Sequence, residues 1–256
     1  MIGSAGDIKA DTAVILGSGL SLEGGSFPLE RIAGYEELED LSVPTVEGHP
    51  GTVALFGRGE GSGIILFMGR AHLYEGIGFY RAGGTVRAAA RLGCRRVLIT
   101  NAAGCLRPDI PLGSWLAPAS VASFPFRRRA WQGGRECGYR FGRGNYISAG
   151  FRDLVVRSAA RAGMNLFPGV LLWNSGPCYE TPAEARAGRV IGADAVTMSV
   201  YPELEAAGEF GMEVAVISCL TNYTPNISSD GSGHRGVIDR CRAARSALAG
   251  LIGHMS

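Results

Sequence analysis

The chain has 256 residues, of which 46% are apolar, with 25 basic and 23 acidic side chains and a net charge of +2. That length is enough to bury a sizeable core in one large domain or two small ones. The near-neutral charge excludes a general binder of nucleic acid or acidic surfaces, and the apolar content excludes disorder as the main state.

Residues 1–11 lack the positively charged segment followed by an apolar run that marks a signal peptide. No stretch approaches the ~18 uninterrupted apolar residues of a spanning helix. Lys9 is the single lysine, beside 24 arginines, and it sits in this polar opening stretch, which argues against Schiff-base catalysis. Short apolar runs at 12–16, 52–56, 64–68, 96–100, 170–173, 195–198 and 213–219 predict buried strands. Helical patterns at 79–92, 151–162, 182–191, 201–210 and 235–252 alternate with them. The alternation predicts an α/β fold, a parallel or mixed sheet with helices on both faces. Thr181-Pro182-Ala183-Glu184 gives one helix a sharp start, with Thr at the N-cap, Pro at N1 and Glu at N3.

No internal repeat and no linker between two cores is present, so residues 1–256 read as a single domain. The one break in composition is 124–145, a polar, glycine-bearing loop whose Arg127-Arg128-Arg129 run reads as a solvated face or a subunit contact. Cys94, Cys105, Cys137, Cys178, Cys219 and Cys241 are scattered, with no C-x-x-C. They read as reduced, mostly buried thiols of a soluble, cytoplasmic protein. His49, His72, His234 and His254 show no ligand spacing either, so no metal is expected.

Ligand sites in open α/β sheets gather at the carboxyl ends of strands. Six polar clusters fall there. Gly17-Ser18-Gly19 suits close approach to an anion, but the next glycine, Gly24, comes two residues late for a dinucleotide fingerprint. Arg70, His72, Tyr74 and Glu75 crowd one strand end, where an arginine fork is the natural partner of phosphate oxygens. Asn101-Ala102-Ala103-Gly104 would let main-chain amides touch a ligand. Tyr179-Glu180 offers an aromatic face and a carboxylate; Met198-Ser199 and Thr221-Asn222 end two further strands. Each cluster alone is ambiguous, and together they describe one site.

Gly17-Ser18-Gly19-Leu20, Gly48-His49-Pro50-Gly51, the Arg70 to Gly76 run, Asn101 to Gly104, Gly176 to Glu180, Met198-Ser199 and Thr221-Asn222 stand in the order seen in purine nucleoside phosphorylases of the trimeric class. The chain resembles that family, which includes the methylthioadenosine phosphorylases, from about residue 12 to the last helix. The resemblance implies a mixed-sheet α/β sandwich assembled as a homotrimer, using inorganic phosphate as co-substrate and no cofactor. Ser18, Arg70, His72, the amide of Ala102 and Ser199 would hold phosphate, with His49 beside it. Tyr74 and Met198 would contact the ribose. Tyr179 would flank the base, Glu180 and Asn222 would bind its edge, Ala103 would line the nucleoside site, and His234 would meet the 5′-hydroxyl. Tyr146 would correspond to an aromatic lent by a neighbouring subunit.

The implied reaction is phosphorolysis in purine salvage, and the Glu180/Asn222 pair suits inosine and guanosine. The chain departs from the family at Tyr223-Thr224-Pro225-Asn226, Pro50, Tyr201 and the 124–145 loop, all around base and sugar. Turnover of adenosine, methylthioadenosine or an unusual nucleoside is therefore the alternative. A nucleosidase and a catalytically silent nucleoside binder are the remaining rivals, and neither partner class includes nucleic acid or membrane.

Overall fold

The structure, a computed structural model, describes residues 10–22, 29–39, 41–56, 63–123, 146–225, 227 and 233–255. Lys9, Cys137, the 124–145 loop and Asn226 lie outside the described residues.

Among the described residues nine strands form one mixed sheet: β1 (Ala10–Leu16), β2 (Leu29–Gly34), β3 (Thr52–Phe56), β4 (Gly63–Met68), β5 (Arg96–Cys105), β6 (Trp115–Ser123), β7 (Leu166–Trp173), β8 (Ala195–Thr197) and β9 (Glu213–Tyr223). Their order is β2-β3-β4-β1-β5-β8-β7-β6-β9, and β9 pairs back onto β5. Five strands therefore close into a ring, from which β1, β4, β3 and β2 extend as an open wing. In the wing β1 runs parallel to β4 and β5, while β3 is antiparallel to both its neighbours.

The helices are α1 (Gly78–Ala82), α2 (Gly84–Arg91), α3 (Ala149–Arg161), α4 (Pro182–Val190), α5 (Tyr201–Phe210), α6 (Gly233–Ala243) and α7 (Arg245–Gly253). They cover both faces, which is why the central strands read as unbroken apolar runs. Along β1, Ala13 and Ile15 enter one core with residues of α2 and α5. Val14 and Leu16 enter the other, with α3, α6 and α7. Each fully buried aliphatic side chain of this kind contributes roughly 1.5–3 kcal/mol.

Several expected elements differ in extent. The 79–92 helix is two helices, because the chain turns at Gly83, a poor helix former, where a Cβ would lie 2.7 Å from the Pro202 carbonyl of α5. The 235–252 helix likewise divides at Ala244. The strands expected at 96–100 and 213–219 continue to Cys105 and Tyr223, pairing with each other across a register shift at Ala103/Gly104. β2 and β6 were not anticipated. Pro118 hid β6, since proline is confined to edges and bulges, and here it sits at the register shift of the β6–β7 ladder. The N-cap expected at Thr181 is present, with its side chain accepting from the Glu184 amide and Glu184 returning to the Thr181 amide.

Candidate active site

The carboxyl-terminal parts of six strands and the segments after them converge on one open cleft. Ser18, Arg70, His72, Tyr74, Ala102, Ala103, Tyr179, Glu180, Met198, Ser199, Asn222 and His234 all line it. Twelve of the thirteen residues expected at the site thus meet in one place. The thirteenth, His49, stands directly behind Ser18. The cleft also uses Gly104, Val196, Thr197, Thr221 and Val237, which the sequence motifs had not singled out individually. Asn101 to Gly104 and Thr221-Asn222 correct the expectation of strand-end loops: they lie within β5 and β9, whose last residues form the cleft floor.

His49 is buried, and its Nδ1 accepts from the Arg70 amide at 3.2 Å. Its Nε2 lies 2.8 Å from Ser18 Oγ. Burial first, then the neighbouring His72 and Arg70 side chains, hold this imidazole well below its ordinary pKa, so it is neutral. With Nδ1 accepting, the proton resides on Nε2 and is donated to Ser18 Oγ, leaving the serine proton for a ligand. This close packing requires Gly69, at φ 106°, because a Cβ there would meet the His49 side chain at 2.7 Å.

Arg70 is 2% exposed and its Nε donates to Glu203 Oε1 at 2.8 Å, with Glu203 itself 1% exposed. Thr85 donates to the same oxygen at 3.4 Å, whereas Oε2 has no hydrogen-bond partner among the described residues. The carboxylate thus anchors one edge of the guanidinium from α5. Glu75 does the same for His72, with Oε1 3.1 Å from Nδ1. The other Glu75 oxygen accepts twice from Thr45, at 2.7 Å each. Burial alone would raise the Glu75 pKa, but the bonds from His72 and Thr45 prevail and draw it down to about 2. The His72 ring stacks on Tyr74 with centroids 4.8 Å apart.

Ser199 is placed through a buried hydroxyl network. Thr197 Oγ1 lies 3.3 Å from Ser199 Oγ and accepts from Asn101 Nδ2 at 2.9 Å. Asn101 Oδ1 in turn accepts from Ser218 at 2.9 Å. The next residue, Val200, adopts φ 83° and ψ −48°, unusual for a β-branched side chain and costing on the order of 1–3 kcal/mol. Its full burial in the core holds that conformation in place.

On the adjoining wall, Thr221 donates to Asn222 Oδ1 at 3.0 Å. The Tyr223 carbonyl, which can only accept, lies 3.3 Å from Nδ2 and sets the amide orientation, leaving the second Nδ2 proton to spare. Glu180 is buried, and its Oε1 accepts from Asn174 Nδ2 at 2.7 Å. Gly176, at φ 70°, lets this segment touch the cleft wall; a Cβ would meet Tyr74 at 2.7 Å and the Met198 sulfur at 2.8 Å. Tyr179 is half exposed at the mouth, and exposed His234 reaches the Glu47 carbonyl at 3.4 Å. Tyr146 is not among the residues lining the cleft; it packs edge-on against Tyr201, 6.2 Å between centroids.

The residues that hold the predicted site in shape, Glu75, Glu203, Asn174 and Thr197, were not singled out for a role in the sequence. Glu75 stood inside a recognised run, but Glu203 lies 133 residues from Arg70 and carries no local signal. Among the described residues no group of three or more His, Cys, Asp or Glu is arranged to hold a metal, and no helix is long and apolar enough to cross a membrane.

Comparison with known proteins agrees with this arrangement. The phosphorylase superfamily matches residues 11–255. Purine nucleoside phosphorylase 1 of Geobacillus stearothermophilus is 34% identical over 228 residues, 88% of this chain and 83% of that protein. A Schistosoma purine nucleoside phosphorylase solved with hypoxanthine superposes with a TM-score of 0.82 at 27% identity, over 97% of this chain and 90% of that one. The Schistosoma mansoni enzyme solved with adenosine gives 0.81 at 28%, over 96% and 90%. The chain belongs to the phosphorylase superfamily and, within it, to the purine nucleoside phosphorylases.

Proposed function

We propose that this purine nucleoside phosphorylase cleaves purine nucleosides with inorganic phosphate, giving free base and pentose 1-phosphate, and prefers 6-oxopurines. The observation that carries the reading is the meeting of an anion clamp and a base-edge pair in one cleft. Ser18, Arg70, His72 and Ser199 supply the first, Glu180 and Asn222 the second.

Ser18 donates its free proton to a phosphate oxygen while neutral His49 holds the hydroxyl from behind. Arg70 presents the guanidinium edge not taken by Glu203, and His72 presents Nε2, its Nδ1 proton being held by Glu75. Ser199 and the Ala102 amide complete the clamp. The nucleoside lies against Tyr74, Met198 and Ala103, with Tyr179 flanking the base and His234 at the 5′-hydroxyl.

A phosphate oxygen bonds to C1′ as the glycosidic bond breaks, and that bond's electron pair passes to the purine. Positive charge developing on the sugar is stabilised by the phosphate. Negative charge on the purine is stabilised by the spare Asn222 proton directed at N7. Such a positioned donor is worth roughly 2.7–4 kcal/mol in related oxyanion sites. The Glu180 side chain accepts from the N1–H of a 6-oxopurine, whereas adenine presents a lone pair there.

No cofactor is required by this chemistry. The proposal extends to one domain over the whole chain, a homotrimer, and a cytoplasmic role in purine salvage. Five described cysteines are free thiols, four of them buried, which suits a reducing compartment. Sedimentation tests the assembly, and a monomer at micromolar concentration contradicts it.

Base release is to be measured from inosine, guanosine, adenosine and methylthioadenosine, with and without phosphate. Phosphate-dependent release from inosine or guanosine is expected. Release from adenosine or its thioether alone would keep the reaction and overturn the base preference. Release without phosphate would make the protein a nucleosidase, and no release from any of the four would point to an unusual nucleoside or a silent binder.

A further inference from the structure

Glu180 does not face the cleft with both oxygens free. Oε1 accepts from Asn174 Nδ2 at 2.7 Å, within the range of a charge-assisted bond. A carboxylate only accepts, so the amide nitrogen must be the atom turned toward it. Asn174 is half-buried and stands outside the set of residues lining the cleft, whereas Glu180 is within that set. The bond therefore ties one carboxylate oxygen to a residue outside the cleft lining.

Asn174 is well placed to hold it there. It follows β7 directly, and its backbone amide donates to the Thr197 carbonyl at 2.9 Å. That contact fixes it to β8, the strand that delivers Met198 and Ser199. Its partner Glu180 immediately precedes the capped start of α4. Both ends of the Asn174–Glu180 bond are thus tied to regular structure, and the carboxylate cannot swing freely to present both oxygens.

We infer that Asn174 is a specificity-determining positioning residue, which leaves Glu180 a single oxygen for the base and so favours hypoxanthine nucleosides over guanine nucleosides. The inference rests on the reading above, in which Glu180 binds the base edge. Hypoxanthine offers one donor on that edge, N1–H, and Oε2 satisfies it. Guanine offers two, N1–H and the 2-amino group, which match a carboxylate with both oxygens in register. With Oε1 drawn toward Asn174, the 2-amino group enters the site poorly paired. One poorly made hydrogen bond is worth about tenfold in selectivity.

The test compares kcat/KM for inosine and guanosine at saturating phosphate in the wild type and in Asn174→Leu, which keeps the branch at Cγ but cannot donate. The guanosine-to-inosine ratio is expected to rise about tenfold in the variant, through the nucleoside KM, with the KM for phosphate unchanged. A ratio that stays within about twofold overturns the inference, as does one that moves toward inosine. A general loss of structure would lower both substrates alike and raise the phosphate KM. Should the variant not fold, calorimetry on the wild type decides: with phosphate present, hypoxanthine must bind more tightly than guanine, and equal or weaker binding overturns the inference. The two levels of failure differ. Absence of phosphate-dependent release from both nucleosides in the wild type defeats the functional reading and this inference with it. Release from both with an unmoved ratio defeats this inference alone.

Discussion

Replacing Arg70 by methionine separates the anion clamp from the fold that carries it. Arg70 and Glu203 are 2% and 1% exposed and meet at 2.8 Å, so removing the cation strands a buried carboxylate. Breaking such a pair from one side costs roughly 3–5 kcal/mol. In a chain of this size that lowers the melting temperature by roughly 6–20 °C. Glu203 Oε2 lacks a hydrogen-bond partner among the described residues, so within them the pair is incompletely satisfied even when intact. Replacing both residues, as Arg70→Met with Glu203→Met, is therefore expected to recover stability to within about 1–2 kcal/mol of the wild type. Phosphate binding must not recover with it. Thermal melts with and without inorganic phosphate read both quantities, since phosphate at 100 times its Kd stabilises the wild type by about 2.7 kcal/mol. That stabilisation is expected to vanish in the single and the double variant alike. A double variant as unstable as the single one would refute the stranded-charge account. A double variant still stabilised fully by phosphate would remove Arg70 from the clamp.

Asn222→Ala is expected to lower kcat for inosine about a hundredfold, and a loss below tenfold would defeat its role as donor to the leaving base. Asn222→Asp should raise adenosine turnover relative to inosine, read from the same assay. Thr181→Ala removes the side chain that accepts from the Glu184 amide and should lower unfolding free energy by about 1 kcal/mol in urea. Acid should destabilise the protein in two windows. His49 is held below its ordinary 6.5, so the unfolded chain binds the extra proton and stability falls as pH drops below that value. Glu75 is drawn from 4.5 to about 2, so its contribution is present above pH 4.5 and is lost as pH falls toward 2. Urea midpoints between pH 7 and 3 should therefore decline, and Glu75→Gln should flatten the decline below 4.5; an unchanged slope would contradict the assignment.

Local signals were sufficient where the physics is local. Thr52–Phe56 and Tyr201–Phe210 were bounded correctly because an apolar run or a 3.6-residue pattern ends there abruptly. The Thr181 cap needed only four residues. The strand ends of β5 and β9 were missed for a related reason: Ala102, Ala103, Gly104, Thr221 and Asn222 are small or polar and line the cleft, so the apolar pattern fades while the ladder continues. β6 was concealed by Pro118, whose missing donor is tolerated at a register shift that only the pairing partner reveals.

The sequence by itself determined the chemistry of the contact groups. Ser18, Arg70, His72, Glu180, Ser199 and Asn222 were identifiable because residue type and motif order specify donors, acceptors and charge. It also determined the alternation of strands and helices that brings strand ends together. Only the tertiary structure decided how each group is held and which of its atoms remain for a ligand. Arg70 depends on Glu203 across 133 residues, His72 on Glu75 and Thr45, and Glu180 on Asn174. Hydrogen-bond satisfaction is a property of atoms that meet in space, and a residue type reports what a side chain can do, not which of its oxygens and nitrogens the fold has already occupied.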